Sequence, residues 1–303
     1  MKRPLRNIAV SIRQRLLNEA KRRGQSFDYV ASLYARERFL ARLAESAHRN
    51  RLILKGATVI AWWLNVQRTT RDLDFLGSGN FEPDEAIEVI REIVAVKAED
   101  GLEFDGANVT AEPIREANEY RGVRVHVQAT LDTVRIRLQI DIGVGDVITP
   151  SAPTVSLPTI LSDSRPPRVK VYPPETIIAE KLHALVKFGI ANSRMKDFFD
   201  LHVLGRGREF DEELLAKAVR RTFARRKTAL PDEPFALTAD FYSDRQKQTQ
   251  WRAFLTKGGV EATSDFAEVG VLLRTFLLPI LKSASTGVAQ SRRWRGRRWQ
   301  TPR

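Results

Sequence analysis

Two aspartates, Asp72 and Asp74, are separated by one leucine in a segment that predicts a β-strand. Side chains two positions apart on a strand share a face, so the carboxylates would project together, roughly 7 Å apart at Cα. Two like charges held side by side are costly unless a cation lies between them, and such oxygen ligands suit Mg²⁺ or Mn²⁺. The D-x-D spacing alone is weakly specific, because it recurs by chance and glycosyltransferases also use it.

A third carboxylate, Asp141, lies in the alternating segment 134–144, on the face opposite its apolar residues. One interpretation is a solvated strand face. The other is a third metal ligand, because an aspartate on a central strand is expensive without a partner. Three carboxylates holding two metal ions about 4 Å apart could bind triphosphate oxygens and activate a hydroxyl.

Lys55, Gly56 and Ala57 precede an apolar segment that leads towards the aspartate pair. A glycine at a tight turn into a helix lets backbone N–H groups approach a phosphate, and Lys55 adds positive charge. The sequence contains neither a Walker P-loop nor a dinucleotide-binding fingerprint, so these residues would form a different kind of phosphate contact.

Lys181 lies beside the apolar stripe of a predicted helix at 175–188. Asp197 and Asp200 are three positions apart in a second predicted helix at 194–204 and therefore share a face. A structural interpretation is an ion pair between Lys181 and Asp197 that ties the two helices together. In a functional interpretation, Lys181 contacts a triphosphate and Asp197 acts as a base or orients a reacting group.

The elements that must position these residues follow from the hydrophobic pattern. Helical spacing covers residues 5–49 and several segments after residue 173, whereas residues 123–144 alternate as a hairpin would. We predict an α/β (α+β) fold with a mixed sheet, flanking helices and a helical C-terminal bundle. The expected organisation is N-terminal helices at 1–50, an αβ core at 51–170, a helical domain completing the site at 171–285, and a basic tail at 286–303.

Charge and composition point to the kind of partner. The 303 residues include 50 Lys and Arg against 37 Asp and Glu, a net charge of +13, and no cysteine. The positive excess predicts a polyanionic partner, and the lack of cysteine excludes disulfides and thiolate chemistry. No segment has the roughly 18 uninterrupted apolar residues of a membrane helix, and the basic N-terminus lacks a signal-peptide core, so we expect a cytoplasmic protein without membrane partners.

The end of the chain is strongly basic. Residues 289–303 hold six arginines and two tryptophans but no acidic residue. The composition is typical either of a disordered basic end or of a segment that contacts nucleic acid through charge and stacking. Disorder is the expectation for this tail.

Taken in order, these motifs resemble the AbiEii/AbiGii toxin family, which belongs to the DNA polymerase β-like nucleotidyltransferase superfamily and includes the MenT-like toxins. The resemblance extends over residues 50–205. The matching segments are Lys55-Gly56-Ala57, Arg71-Asp72-Leu73-Asp74-Phe75, Ile140-Asp141-Ile142, Ala179-Glu180-Lys181-Leu182 and Lys196-Asp197-Phe198-Phe199-Asp200-Leu201.

The resemblance implies a nucleotidyltransferase toxin that transfers NMP from an NTP to an RNA acceptor, the expected acceptor being the tRNA 3′ end. Asp72 and Asp74 would bind Mg²⁺ or Mn²⁺, with Asp141 as an accessory metal ligand. Lys181 would contact the nucleotide phosphates, and Asp197 would act as a base or position the acceptor. The further implied nucleotide contacts are Lys55, Gly56, Ala57, Arg68 and Arg71.

The resemblance also implies a cognate antitoxin, usually a separate winged-helix DNA-binding protein, in a type IV toxin–antitoxin or abortive-infection (phage defence) system. One departure is Gly56-Ala57 where the family has Gly-Gly or Gly-Ser, which removes a hydroxyl contact to phosphate. The alternatives are nucleotidylation of a protein or small-molecule hydroxyl, or a catalytically silent nucleotide- or nucleic-acid-binding module. A glycosyltransferase is remote, because it leaves Lys181 and Asp197 unexplained.

Overall fold

The computed structural model describes residues 5–64, 72–79, 81–114, 122–258 and 265–301. The chain divides into two compact units, which we call the sheet unit and the helical unit. The sheet unit comprises residues 1–58, 70–145 and 153–171, and the helical unit comprises residues 59–69, 146–152 and 172–303. The N-terminal helices, which the sequence set apart at 1–50, therefore group with the sheet.

The sheet unit begins with two helices and ends with a run of strands. Its elements are α1 (Leu5–Arg23), α2 (Phe27–Glu45), β1 (Leu52–Lys55), the start of α3 (Gly56–Leu64), β2 (Asp72–Gly77), α4 (Pro83–Val94), β3 (Leu102–Phe104), β4 (Thr110–Ile114), β5 (Gly122–Leu131), β6 (Val134–Val144), β7 (Thr154–Ser156) and β8 (Arg168–Lys170). The first turn of α3 belongs to this unit, and its remainder belongs to the helical unit.

Within the described residues, six strands of the sheet unit form one sheet in the order β1-β2-β6-β5-β3, with β4 also paired to β5. β2 and β6 run parallel, and the other neighbouring strands run antiparallel. The prediction of a mixed sheet is therefore confirmed. Long β5 and β6 form the predicted hairpin, because their alternating residues present one apolar face to the core.

The two faces of the sheet have different roles. Leu73 and Phe75 of β2 are fully buried, and the Phe75 ring lies 6.4 Å from that of Phe39 on α2. The period of two then places Asp72 and Asp74 on the other face, where both are half-buried. Apolar packing against α2 thus holds β2 in the orientation that presents its carboxylates away from the core.

The helical unit contains the predicted C-terminal helices. Its elements after α3 are α5 (Pro174–Phe188), α6 (Met195–Gly207), β9 (Phe210–Asp211), α7 (Glu212–Arg225), α8 (Ala239–Ser243), α9 (Arg245–Gly258), α10 (Phe266–Thr286), β10 (Arg293–Arg295) and β11 (Arg298–Gln300). Pro174 stands in the first turn of α5, where a missing N–H costs no helical hydrogen bond. Among the described helices, none is both long and apolar enough to cross a bilayer.

The basic tail is folded in its described part, up to residue 301, which differs from the expected disorder. β10 and β11 pair antiparallel, and β10 also pairs with β9. Trp294 is fully buried, and its indole N–H donates to the Gly205 carbonyl at 2.6 Å. Trp299 donates to the Phe276 carbonyl at 3.1 Å. The tryptophans supply the buried aromatic surface that fixes the tail, a role that composition alone conceals.

Candidate functional site

The sheet unit brings four charged side chains into one row across four neighbouring strands. Lys55 pairs in register with Asp74, Asp74 with Asp141, and Asp141 with Arg124. Residues in register share a face of the sheet, so the row reads positive, negative, negative, positive. Asp72 lies in the adjacent row, next to this one along β2. The two aspartates predicted to act together are thus neighbours on one half-buried polar surface.

Gly56 shapes the site at the point where β1 enters α3. Its φ is +75°, a left-handed conformation that side chains rarely adopt, and a Cβ added there would lie 2.1 Å from Asp74 Oδ2. The Asp74 carboxylate therefore packs directly against the backbone at the N-terminus of α3. This explains the glycine in Lys55-Gly56-Ala57, and it places that segment beside the aspartate pair as the sequence predicted. A phosphate contact of this segment stays a prediction.

The Lys55 ammonium extends over the sheet towards β6. A Cβ added to Gly143 would lie 3.5 Å from Lys55 Nζ, so the ammonium lies beside the backbone of β6 at this position. Asp72 adds a negative charge to the surface. It interacts electrostatically with Arg36 of α2 and Arg124 of β5. Burial lowers the pKa of the Arg36 guanidinium, and attraction to Tyr29 and Asp72 opposes that decrease.

Asp141 is engaged by neighbouring side chains. Arg124 donates from Nε to Oδ1 at 2.9 Å and from Nη2 to Oδ2 at 2.8 Å, and the Gln139 amide lies 3.3 Å from Oδ1. This hydrogen-bonded pairing raises the pKa of Arg124, so the guanidinium stays charged at neutral pH. Both carboxylate oxygens of Asp141 thus have a guanidinium partner. Coordination of a metal by Asp141 would require Arg124 to move.

The site supplies part of the oxygen ligand set that a divalent ion needs. Asp72 and Asp74 are hard oxygen donors on one face of one strand, which fits Mg²⁺ or Mn²⁺ held with additional waters and phosphate oxygens. Among the described residues, no group of three acidic, histidine or cysteine side chains is arranged to hold a metal ion. The residues therefore fit a two-carboxylate metal site completed by a substrate, rather than a cage made by the protein alone.

The helical unit brings Lys181 together with the two aspartates of α6. Lys181 Nζ lies 2.7 Å from Asp197 Oδ1 and 2.7 Å from Asp200 Oδ2. Arg194, which precedes α6, donates from Nε to Asp197 Oδ2 at 2.8 Å. The predicted Lys181–Asp197 ion pair between two helices is confirmed. Asp197 and Asp200 share a face as their spacing required, and both are buried.

The ionisation of this cluster is set by its internal contacts. Burial by itself would lower the pKa of Lys181, but Asp197 and Asp200 outweigh it and raise the pKa to about 12. Burial would raise the pKa of Asp197, but Lys181 and Arg194 outweigh it and lower the pKa to about 2. Lys181 is therefore a permanent cation at neutral pH, and Asp197 is a weak proton acceptor.

Sequence reasoning missed three participants: Arg124, Gln139 and Arg194. Arg124 and Gln139 follow the same strand alternation as Asp141, but only the pairing register brings them to its carboxylate. Arg194 stands three residues before Asp197, a spacing that permits the observed contact at a helix start. The predicted nucleotide contacts Arg68 and Arg71 lie outside the described residues.

Comparison with known proteins adds the following similarities. The family model for the nucleotidyl transferase AbiEii toxin of type IV toxin–antitoxin systems matches residues 38–270. The nucleotidyltransferase toxin MenT4 of Mycobacterium tuberculosis H37Rv is 18% identical, with a TM-score of 0.51 over 90% of this chain and 98% of that chain. An H. pylori protein classed as a nucleotidyltransferase is 16% identical, with a TM-score of 0.51 over 88% of this chain and 100% of that chain. The search of curated proteins gives no match.

Proposed function

This chain belongs to the AbiEii family of nucleotidyltransferase toxins of type IV toxin–antitoxin systems, and from that premise we propose that it transfers NMP from an NTP to an RNA acceptor with a divalent metal ion. The observation that carries the proposal is the half-buried pair Asp72 and Asp74 on one face of β2, with Asp74 packed against the start of α3. The acceptor we propose is the 3′ end of tRNA.

The sheet unit supplies the groups that would face a nucleotide. Asp72 and Asp74 would hold Mg²⁺ or Mn²⁺, which, when bound, neutralises triphosphate charge and favours ionisation of the attacking hydroxyl. The backbone N–H groups of Gly56 and Ala57 would approach a phosphate at the helix N-terminus, and Lys55 would add positive charge. Asp141, held by Arg124, would position this surface rather than coordinate the metal.

The reaction joins the acceptor hydroxyl oxygen to the α-phosphorus of the NTP. The bond from that phosphorus to the β-phosphate oxygen breaks, pyrophosphate leaves, and the hydroxyl proton passes to water. We assign Lys181 to the nucleotide phosphates because its charge persists at neutral pH. We assign Asp197 to positioning Lys181 rather than to proton abstraction, because a pKa of about 2 makes it a poor base.

RNA is the acceptor that the charge favours. A net charge of +13 attracts a polyanion such as tRNA and makes binding dependent on salt concentration. We propose that the reaction occurs in the cytoplasm, where NTPs and tRNA are available. We also propose that the cognate antitoxin is a separate winged-helix DNA-binding protein.

The test incubates the purified protein with Mg²⁺, total tRNA and each α-³²P-labelled NTP in turn, followed by a denaturing gel. We expect label in tRNA with the wild type and at least a ~1000-fold lower rate with Asp72→Asn or Asp74→Asn, because several kcal/mol of charge stabilisation is lost. A matched control is Asp240→Asn in α8, which removes one carboxylate from the other unit.

Three outcomes would contradict the proposal in different ways. Label on a protein band, or in a small molecule, would reassign the acceptor. Equal labelling by the wild type and Asp72→Asn would remove the aspartate pair from the reaction. Absence of label with every NTP, together with growth inhibition that survives Asp72→Asn, would favour a silent binding module.

A further inference from the structure

The folded tail presents two different faces. β10 and β11 form a hairpin in which Trp294 and Trp299 pair across the strands, with ring centroids 5.4 Å apart. Trp294 is fully buried, whereas Arg293, Arg295 and Arg298 are exposed. The strand period of two therefore separates an aromatic inner face from an arginine outer face. Trp294 is buried and therefore cannot stack on nucleic-acid bases, which leaves charge as the property of the outer face.

The arginines of the outer face reduce the stability of the hairpin. Arg295 and Arg298 stand directly opposite each other, and like charges in register destabilise a strand pair. Arg295 is partly compensated by Glu209, whose Oε2 lies 2.8 Å from Nε. Among the described residues, Arg293, Arg297 and Arg298 form no ion pair with an acidic side chain.

The residue types of the turn also reduce the stability of the hairpin. Gly296 and Arg297 both have positive φ, +54° and +66°, as a two-residue hairpin turn requires. Asparagine or glycine would suit the second position, whereas arginine there costs about 1 kcal/mol. The hairpin thus contains an opposed arginine pair and a strained arginine, both of which weaken it in isolation. An anion bound to the outer face would offset these costs.

We propose that the outer arginine face of the β10–β11 hairpin binds the phosphate backbone of the RNA acceptor. This inference rests on the proposed function for the choice of RNA as the polyanion. Arginine binds phosphate oxygens through two parallel N–H donors, and contacts to phosphates position a nucleic acid without reading its sequence. The hairpin therefore binds acceptors by charge and leaves their selection to other parts of the chain.

The test measures how tightly the protein binds unmodified tRNA, in the absence of NTP, as a function of salt concentration. The variant Arg293→Gln/Arg297→Asn/Arg298→Gln removes three charges, and Asn at position 297 keeps a residue that tolerates positive φ. Each lost phosphate contact lowers the salt slope by about 0.7, so we expect a slope smaller by about 2 and binding about 100-fold weaker at 0.1 M salt. The thermal midpoint should not fall, because the opposed charges and the strained arginine are removed.

Two control variants separate this contact from general charge. Arg245→Gln/Arg252→Gln/Lys257→Gln removes three exposed charges from α9 and should leave the slope within about 0.5 of the wild type. Arg293→Lys/Arg297→Lys/Arg298→Lys keeps the charge and should keep most of the slope. Equal losses in the hairpin and α9 variants would overturn the inference, because they would indicate long-range charge instead of contact.

The failure of this inference is distinguishable from the failure of the proposed function. A hairpin variant that binds tRNA as the wild type does would overturn the inference even if the wild type labels tRNA. Conversely, loss of tRNA binding in the hairpin variant would support the inference even if no NTP labelled the RNA. Wild-type binding to anionic phosphatidylserine vesicles but not to tRNA would overturn it by assigning the arginine face to a membrane surface.

Discussion

The two clusters of aspartates in this molecule differ in how their charge is accommodated. In the sheet unit, Asp72 and Asp74 project from one strand onto a half-buried polar face. In the helical unit, Asp197 and Asp200 are 2% and 0% exposed, and both contact the ammonium group of Lys181. Carboxylates of the first kind are accessible to a cation that arrives with a substrate. Carboxylates of the second kind depend on a cation that the chain itself provides.

This difference separates the energetic consequences of mutation. Asp72 and Asp74 stand on a half-buried surface that solvent can reach, so replacing one of them can abolish activity with little loss of stability. Removing a charge from an enclosed cluster takes a buried counter-charge away from its partners, which is strongly destabilising. The sheet cluster should therefore separate activity from stability, and the helical cluster should couple them.

The largest expected effect is that of Lys181→Met. Two buried carboxylates lose their shared cation, and we expect the free energy of unfolding to fall by about 3–5 kcal/mol. Urea denaturation, followed by tryptophan fluorescence, measures this change. Asp72→Asn, the matched change in the sheet cluster, should lower the denaturation midpoint far less, because this carboxylate is half-buried.

A compensating variant checks the electrostatic cause. Lys181→Met/Asp200→Asn also removes one of the two buried carboxylates and should recover about 1–2 kcal/mol relative to Lys181→Met. A double variant that is no more stable than Lys181→Met would indicate lost packing of the lysine stem instead of uncompensated charge. The comparison between the clusters would then lose its basis.

The next effect concerns Gly56→Ala in the sheet cluster. The added Cβ would meet Asp74 Oδ2 at 2.1 Å and would also occupy a positive φ, so we expect a loss of about 3 kcal/mol and inactivity. Gly24→Ala is a matched control, because Gly24 has φ +63° but nothing within 4 Å of an added Cβ. It should cost about 1 kcal/mol. Equal losses for the two variants would mean that the close approach of Asp74 contributes nothing.

The sequence predicted the helices and strands better than it predicted which residues pair across the sheet. Periodicity is local, so it predicted the strand carrying Asp72 and Asp74 and the two helices that join Lys181 to Asp197. Register is not local, because the Arg124–Asp141 pairing depends on how β5 and β6 align across a turn. The sequence therefore left open whether Asp141 stands in solvent or beside a cation. The domain limits and the metal and nucleotide roles of the site residues stay predictions.

The composition of the tail likewise did not predict its structure. Six arginines in 15 residues favour a disordered end, and the two tryptophans suggested stacking on bases. The fold instead pairs Trp294 with Trp299 and packs the Phe276 ring 4.7 Å from that of Trp294. Phe276 lies in a different element, α10, so no local sequence pattern predicts the contact.

Two buried histidines should make the helical unit sensitive to acid. Burial, reinforced by neighbouring cations, lowers the pKa of His183 and His202 in the helical unit to about 4. Their unfolded pKa is about 6.5, so the unfolded state binds more protons between pH 6.5 and 4, and stability falls as the pH decreases through that window. Each histidine should cost about 2 kcal/mol at pH 5.

The variant His183→Gln tests this assignment. Its free energy of unfolding should depend less steeply on pH between 6.5 and 4 than that of the wild type, as measured by urea denaturation at each pH. Asp197, with a pKa near 2, releases its stabilisation only below pH 4 and therefore does not contribute in this window. An unchanged pH dependence in His183→Gln would show that the pKa of this histidine is the same in the folded and unfolded states.

The smallest effect sharpens the role of Asp141. Its ion pair with Arg124 is partly exposed, with side-chain exposures of 36% and 18%, so Arg124→Gln should cost only about 0.5–1 kcal/mol. If Asp141 positions the surface, Asp141→Asn should slow nucleotide transfer by about 10-fold, as outer-shell partners do. The same assay should show at least a ~1000-fold decrease for Asp72→Asn. Equal decreases for both asparagine variants would make Asp141 a metal ligand, because its guanidinium partner would then have to leave during each turnover.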